Sequence, residues 1–563
     1  MTRSIVRTFL LALAVAGPAR AQSPAPPSVS ADLIVTAQHI YTVDPDRPVV
    51  RAFAVRDGRI VFAGSERETM ALKGPRTRVL ALGDRTVIPG ITDAHLHLVG
   101  VGTALRTVDL TGTLSYDEVI QRVAARAREL KAGEWISGRG WNQNAWPDTR
   151  FPTHDALSRA VPDNPVVLGR VDGHALLANE RAMAAAGVTA ATPDPEGGRI
   201  VRNADGSPTG VFVDNAMDLI RRVVPPLSRD ETRAAILAAV AEFNRWGLTA
   251  VHDAGASFAT IDLYEELARA GRLDIRDYVM VTGDSADVAR AYARGPQSAL
   301  YDGRLWIRAI KMYADGALGS RGAALLEDYS DDPGNRGYFV TDSMVIRAAA
   351  VSALRHGFQL CIHAIGDHAN RMVLDAYEAA LDSVPTADHR FRIEHAQILH
   401  HQDIPRFAAL GVIPSMQTSH QTSDMYWAIN RLGWSRAEGA YAWRSLLATG
   451  AIIPNGTDAP VEPLNPMRGF HSAVTRQDAD NWPAGGWFPA QRMTREEALE
   501  AMTIWPAYAS FMEHVAGSLS PGKYADFVVL DQDIMTVAPE RILETNVVMT
   551  VLGGRTVYQR SAQ

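Results

Sequence analysis

The feature that most constrains the fold is an alternation of short apolar runs with helix-like segments between residues 86 and 458. The segments between the runs, such as "DSMVIRAAAVSALRHG", carry apolar residues at helical spacing. Eight buried strands alternating with helices predict an α/β fold of the parallel (β/α)8, or TIM, barrel type. The predicted strands are Thr86–His95, Leu248–Asp253, Asp274–Thr282, Leu305–Lys311, Phe358–His363, Phe391–His395, Val412–Met416 and Ala451–Asp458.

Two further units accompany the predicted barrel of residues 86–514. Roughly 150 residues separate the first two strands, too many for an ordinary crossover, which predicts an inserted subdomain at about 105–223. Both ends of the chain carry short strand-like runs, folded at Asp57-Gly58 in one case and Gly553-Gly554 in the other. We predict that residues 32–85 and 515–563 join into one small β-sandwich.

Four histidines, an aspartate and a lysine follow or end five of the predicted strands. They are His95 and His97 (first strand), Lys311 (fourth), His363 (fifth), His395 (sixth) and Asp458 (eighth). The carboxyl ends of all strands of such a barrel open on one face, where active sites lie. Residues two apart in a strand point the same way, so His95 and His97 can reach one ion.

The joint pattern is more specific than any of its parts. A single His-x-His is a weak motif, and a lone buried histidine is more often a hydrogen-bonded core residue. Imidazoles and carboxylates suit zinc or a similar divalent ion. Cys361 is the only cysteine, which rules out a multi-cysteine structural metal site and favours a catalytic one.

Six stretches resemble the amidohydrolase superfamily, in the branch that includes N-substituted formamide deformylase and YtcJ-like metal-dependent hydrolases. The resemblance extends from about Asp32 to Tyr558. The stretches are "VIPGITDAHLHL", "IKMYADGALGSRGAAL", "IHAIGDHAN", "RIEHAQ", "NGTDAPV" and "GSLSPGKYADFVVLD".

This resemblance implies two divalent ions per chain, with zinc as the expected metal. It implies that His95 and His97 hold one ion and that His363 and His395 hold the second. Lys311 matches the position of a carbamylated lysine that bridges both ions. Asp458 matches the strand-eight acid, a metal ligand that is also the catalytic general base and acid.

The implied reaction is hydrolysis of a non-peptide C–N bond by water that the ions activate. A linear amide, such as an N-formyl or N-acyl amine, is the leading small-molecule substrate. A cyclic amide, an ester or a lactone remains open, because the same attack suits each carbonyl. A non-catalytic periplasmic binding protein is the alternative from another class, disfavoured because all six positions are filled.

Three residues are candidates for substrate contact. Trp141 in "GRGWNQNAW" and His174 in "VDGHALLANE" belong to the predicted insertion, and Asp315 follows Lys311. For the first two, a polar network that holds the insertion to the barrel is an equally good interpretation. Asp315 also suits a supporting position behind the ligands.

The N terminus and the overall charge bear on location and partners. Arg3 and Arg7, an apolar run and Ala19-Arg20-Ala21 predict a signal peptide over 1–21, followed by a linker at 22–31. We therefore expect an exported protein, periplasmic or secreted after cleavage near Ala21. The net charge of −7 without a basic stripe argues against nucleic-acid and membrane partners, and a homo-oligomer remains open.

Overall fold

The computed structural model describes residues 30–283 and 285–561. The predicted signal peptide, and all of the predicted linker before residue 30, lie outside the described residues. Within the described ranges, no helix combines the length and the apolar character needed to cross a bilayer.

The strands form three sheets, two of eight strands and one of six. In chain order they are β1 (Leu33–Tyr41), β2 (Val49–Arg56), β3 (Arg59–Gly64), β4 (Arg78–Ala81), β5 (Thr86–Pro89), β6 (Ile91–Leu96), β7 (Val108–Asp109), β8 (Ile136–Trp141), β9 (Val166–Arg170), β10 (Ala175–Ala178), β11 (Gly198–Arg202), β12 (Pro208–Asp214), β13 (Leu248–Ala256), β14 (Arg276–Val281), β15 (Gln297–Ala299), β16 (Leu305–Tyr313), β17 (Gln359–Ala364), β18 (Arg392–His395), β19 (Ile413–Ser415), β20 (Phe527–Leu530), β21 (Val547–Leu552) and β22 (Arg555–Gln559).

The helices lie mostly between the strands of the central sheet. In chain order they are α1 (Glu66–Met70), α2 (Leu98–Ala104), α3 (Tyr116–Ala127), α4 (His154–Ala160), α5 (Glu180–Ala186), α6 (Asp218–Arg221), α7 (Arg229–Arg245), α8 (Phe258–Arg269), α9 (Ser285–Arg294), α10 (Leu300–Gly303), α11 (Ser343–His356), α12 (Asp367–Ser383), α13 (Ile404–Leu410), α14 (Thr418–Asp424), α15 (Ala428–Ala437), α16 (Trp443–Leu447), α17 (Pro466–Thr475), α18 (Arg495–Ala501) and α19 (Ile504–Ala509).

The central sheet confirms the predicted α/β barrel. Its parallel strands follow the order β6-β13-β14-β16-β17-β18-β19, and β15 pairs with β16 on the side of that path. The strands are buried along almost their whole length, because one face lies inside the barrel and the other packs against the helices. All carboxyl ends therefore open on the same face of the barrel.

The predicted eighth strand, Ala451–Asp458, is the exception, because it forms no regular strand. It still closes the barrel: Asn455 bridges Met416 beyond β19, and its carbonyl accepts from Ala94 N of β6 at 3.0 Å. Pro454 has no amide hydrogen to give to a ladder. At Gly456, a Cβ would lie 2.4 Å from the His95 nitrogen. An irregular, tightly packed segment therefore replaces the strand.

The predicted first strand, Thr86–His95, is divided between two sheets. β5 pairs with β1 and β20, whereas β6 pairs with β13 in the barrel. Between them, a Cβ at Gly90 would lie 2.0 Å from Oγ1 of Thr249. Glycine at this position lets the chain pass beside Thr249 as it leaves one sheet for the other.

The sheet formed by both ends of the chain contains β1–β5 and β20–β22. It folds over a shared core, since the rings of Phe53 in β2 and Phe527 in β20 have centroids 5.2 Å apart although two strands separate β2 from β20. Arg276 of β14 reaches Asp526, with Nε 2.6 Å from Oδ2. This ion pair joins the barrel to the terminal sheet.

The third sheet lies in the chain between β6 and β13, in the order β11-β12-β10-β9-β8-β7. Apolar side chains including Leu110, Val119 and Leu168 give it a core of its own. At its edge near the barrel mouth, β12 ends at Asp214 and the turn before β10 carries His174. The insertion thus contributes side chains to the mouth of the barrel.

Candidate metal centre

His95, His97 and Asp458 meet at the carboxyl end of the barrel. His95 is the fifth residue of β6, His97 comes just after this strand, and Asp458 ends the irregular eighth segment. Asp458 Oδ1 lies 3.1 Å from His97 Nε2 and 3.5 Å from His95 Nε2. One ligand atom from each residue lies within 4.8 Å of the others, close enough to share a metal ion.

The donor atoms of this cluster fit a divalent cation. His95 Nε2 is buried and has no hydrogen-bond partner among the described residues, a rare condition for a buried polar atom. Asp458 Oδ1 is buried as well and faces the Nε2 atoms of both histidines. Burial raises the pKa of Asp458, but the hydrogen bond with His97 and the neighbouring histidines lower it well below its usual value. Asp458 is therefore a carboxylate, which together with two imidazoles makes an ordinary zinc ligand set.

His363 of β17 and His395 of β18 lie directly beside this cluster. Their ring centroids are 4.6 Å apart, and the ring of His395 is 4.9 Å from that of His95. Burial lowers the pKa of both imidazoles well below the usual value, and for His395 the negative charge of Asp458 opposes this shift without reversing it. Both rings are therefore neutral, the state in which histidine binds a metal.

Lys311 lies in β16, where its backbone pairs with Cys361 of the neighbouring β17. Its side chain is buried, with Nζ 4.0 Å from the centroid of the Tyr313 ring. Lys311, the four histidines and Asp458 all line one cavity. The structure thus brings together all six residues that end or follow the predicted strands.

Glu394 contacts the cluster but is not among the site residues predicted from the sequence. Its Oε2 lies 2.5 Å from Nδ1 of His95, and its Oε1 lies 2.7 Å from Nε of Arg392. Burial raises the pKa of Glu394, but the charges of Arg392 and His95 hold it far below the usual range. The stretch "RIEHAQ" contained the signal, because residues 392 and 394 of one strand share a face.

Two more missed residues follow β19. Gln417 Oε1 accepts from Nδ1 of His395 at 2.7 Å, which orients that ring. The ring of His420 stacks 5.8 Å from His395, and its Nε2 lies 3.8 Å from Oδ2 of Asp458. His420 Nε2 is buried and has no hydrogen-bond partner within the described ranges. The polar run "QTSHQTSD" directly after a predicted strand was the available signal.

Asp315 lies in the cavity wall behind His363, with Oδ1 3.6 Å from Nε2 of that ring. Its carboxylate accepts from the amides of Ala324, Ile365 and Gly366 at 2.8–2.9 Å. Burial raises the pKa of Asp315 to about 7, although these hydrogen bonds oppose the shift. The arrangement corresponds to the supporting position, because the carboxylate is occupied by three backbone donors.

His174 reaches the mouth from the insertion. Its Nδ1 lies 2.7 Å from Oδ1 of Asp214, and its ring centroid is 5.0 Å from that of His363. The side chain lines the cavity. His174 is therefore placed where it can contact a bound molecule.

The prediction that Trp141 contacts the substrate is wrong. The side chain is fully buried in the core of the insertion, packs near Trp146, and its Nε1 donates to the Leu168 carbonyl at 2.8 Å. An indole with its one donor satisfied inside an apolar cluster supports the subdomain. Trp141 does not belong to a polar network between the insertion and the barrel either, because it packs within the insertion.

The cavity above the cluster has a volume of about 960 Å³. The six predicted ligands line one side, the insertion contributes Arg139, Arg170 and His174, and the segment around α14 and α15 contributes Tyr426 and Trp427. This size and its mixture of aromatic and charged groups suit a small organic molecule.

Comparisons with known proteins agree with this arrangement. The chain is 34% identical to the putative amidohydrolase YtcJ of Bacillus subtilis, over 93% of this chain and 98% of that protein. It is 29% identical to N-substituted formamide deformylase of Arthrobacter pascens, over 94% and 99%. A solved structure, an uncharacterized metal-dependent hydrolase from Pyrococcus horikoshii, superposes with a TM-score of 0.73 at 27% identity over 90% of this chain and 99% of that one. The model of the amidohydrolase family matches residues 78–558, and the chain belongs to that family.

Proposed function

We propose that this chain is a metal-dependent hydrolase that cleaves the C–N bond of a linear amide, such as an N-formyl or N-acyl amine. The observation that carries the proposal is the cluster of His95, His97 and Asp458, in which His95 Nε2 is buried without a hydrogen-bond partner among the described residues. The cluster faces a cavity of about 960 Å³. A relative named as a formamide deformylase supports the C–N bond as the target.

Two zinc ions are the proposed cofactors. His95, His97 and Asp458 would hold one ion, and His363 with His395 would hold the second. For Lys311 we propose reaction of the neutral Nζ amine with carbon dioxide, which forms an N–C bond and releases one proton. The resulting carbamate is an anion, whereas an ammonium would repel both ions across the low dielectric of the cavity.

When bound, the ions polarise a substrate carbonyl and lower the pKa of water from 15.7 to about 7. The chain's own residues then carry the proton. Asp458 Oδ1 faces the two histidines, which leaves Oδ2 to take a proton from the attacking water and give it to the departing amine nitrogen. His420, with Nε2 3.8 Å from Oδ2, borders this path. His174, held by Asp214, is placed to contact the acyl part of the substrate.

The test is turnover by purified protein reconstituted with zinc. The panel contains N-formyl and N-acetyl amines, a cyclic amide, an ester and a lactone. We expect hydrolysis of the linear amides, with free amine as the product. Hydrolysis of the ester or lactone without any of the amides would overturn the C–N assignment, and no turnover of any compound at full metal occupancy would overturn the catalytic one.

A further inference from the structure

The cavity contains an arginine whose charge is not matched by a carboxylate of the described protein. Arg139 lies in β8 of the inserted sheet and lines the cavity. Its hydrogen bonding to the described residues consists of one contact, from Nη2 to the Val171 carbonyl oxygen at 2.8 Å. Its Nε is buried and has no partner there. A guanidinium has five N–H donors, so most of those of Arg139 remain open to a ligand.

In the neighbouring Arg170, which lines the same cavity, all three guanidinium nitrogens donate hydrogen bonds. Its Nε donates to Oε1 of Gln143 at 2.8 Å, its Nη2 donates to Oδ1 of Asn142 at 3.1 Å, and its Nη1 is paired with Asp172. Asp172 is thus engaged by Arg170. The contrast between two arginines of one wall indicates that Arg139 is open for a reason other than packing.

The backbone beside Arg139 leaves the guanidinium accessible. Gly169 is the residue paired with Arg139 across β8 and β9, and a Cβ there would lie 3.8 Å from its Cγ. A Cβ at Gly173 would lie 3.4 Å from its Nη1, and Gly173 has a φ of 75°, which favours glycine. Any side chain at these two positions would cover part of the guanidinium.

Arg139 is also within electrostatic range of the proposed reaction centre. Burial lowers its pKa, and the negative charges of Asp458 and Asp172 raise it in the opposite direction. An arginine side chain nevertheless remains protonated. A group bound at Arg139 and a carbonyl at Asp458 can therefore belong to one small molecule in the shared cavity.

We infer that Arg139 binds a carboxylate of the substrate, so that the substrate class is an N-acyl amine bearing a carboxylate, with N-acyl amino acids as its simplest members. The inference rests on the proposed function, because it places the amide carbonyl at Asp458. A planar guanidinium with open donors matches a carboxylate in a two-bond geometry. A cavity of about 960 Å³ also accommodates far more than a formyl group.

The kinetic test compares two substrates that differ by the carboxylate alone, N-formylphenylalanine and N-formylphenethylamine. On zinc-loaded full chain we expect kcat/KM to be about 10- to 100-fold higher for the acid, the range of a charge-assisted hydrogen-bond pair. Arg139→Met should remove that preference, mainly through KM, and leave the neutral substrate within about twofold. Arg139→Lys should retain part of the preference, because it keeps the charge without the planar donors.

Arg468→Met is the matched control, because Arg468 is an exposed arginine that lines the same cavity. It removes the same charge and should keep the preference for the acid. If Arg139→Met lowers kcat/KM equally for both substrates, or if the wild type prefers the neutral one, the inference is overturned.

A binding measurement separates this inference from the proposed function. Isothermal titration calorimetry uses N-tosylphenylalanine and N-tosylphenethylamine, sulfonamides that retain or lack the carboxylate and are not amides. Tighter binding of the acid that Arg139→Met abolishes supports the inference even if no amide is hydrolysed. Equal affinity for the two probes overturns it even if neutral formamides are hydrolysed.

Discussion

Oε2 of Glu394 lies 2.5 Å from Nδ1 of His95, so one imidazole connects a buried carboxylate to the proposed metal ligands. If Nδ1 carries the proton toward Glu394, Nε2 keeps its lone pair for a cation. Arg392 is paired with Glu394 and also donates to the Ala94 carbonyl at 2.7 Å and to Ser415 Oγ at 2.7 Å. The orientation of the first ligand is thus set by a chain of contacts inside the barrel.

Glu394→Gln should weaken zinc binding by about 10- to 100-fold, because an amide cannot hold the His95 ring with the same charge. The affinity is measured by competition with a fluorescent zinc chelator. Glu462→Gln alters a carboxylate that lines the same cavity and is bonded to Ser423 instead, and it should bind zinc like the wild type. Equal affinity of Glu394→Gln and wild type would remove Glu394 from the metal site.

Asp458→Asn should retain the fold and lower kcat by about 10²- to 10⁴-fold, because an amide cannot carry the proton. Steady-state turnover of an N-formyl amine, with metal content measured in parallel, checks this. Asp218→Asn is the control, since Asp218 is an exposed aspartate that lines the same cavity. Turnover of Asp458→Asn near that of the control would show that Asp458 does not handle the proton.

Lys311→Ala should lose most activity and the paired metal content, because the proposed bridging anion is gone. Added acetate or propionate should restore part of both by supplying a carboxylate in the vacated space. His363→Ala should also lose activity, but a carboxylic acid should not rescue it, because the missing ligand is an imidazole. Undiminished activity of Lys311→Ala, or equal rescue of the two variants, would contradict the carbamate.

Removal of metal should abolish turnover, because the proposed ions activate the attacking water and His95 Nε2 has no other partner among the described residues. Dialysis against a chelator, followed by elemental analysis, gives the metal content at each step. We expect activity to return on addition of zinc, up to two ions per chain. Full activity at a verified metal content near zero would refute the proposed mechanism.

Trp141→Ala should destabilise the protein by about 3–5 kcal/mol, the usual cost of truncating a buried large aromatic side chain. Its kcat under conditions where the variant remains folded should match the wild type, because the indole lies in the subdomain core. Chemical denaturation measures the first effect and turnover the second. Trp434→Ala, at a tryptophan that is 70% exposed, should change neither.

The predicted and observed strands of the barrel differ at the two ends of the sheet. The strand periodicity and the polar residues at strand ends predicted the barrel and the residues that line its mouth. The same pattern predicted one strand over Thr86–His95, because the apolar residues continue on both sides of Gly90. The pattern also predicted a strand over Ala451–Asp458, where Pro454 and Gly456 prevent a regular ladder of hydrogen bonds.

Glu394 and Gln417 could not be predicted from the sequence for the same physical reason. Glu394 contacts His95, which lies on a strand far away in the sequence, and Gln417 contacts His395 of the preceding strand. Both contacts depend on which side chains meet inside the barrel. For Trp141 the prediction included a residue that does not belong to the site. Its polar neighbours in the sequence suggested a binding pocket, whereas the indole lies in the core of the insertion. Side-chain contacts between strands that are far apart in the sequence are not encoded in local periodicity.

The closure of the barrel also has a consequence for biosynthesis. Thr457 donates to Asp93 at 3.0 Å across 364 residues of chain, and Asp458 N donates to His95 O at 2.6 Å. During synthesis on the ribosome, His95 and His97 therefore leave the ribosome long before Asp458 has been added to the chain. Binding of the proposed ion by all three residues must therefore wait until residue 458 has been synthesised. A fragment ending before residue 451 should fail to retain the ion however well its early strands fold.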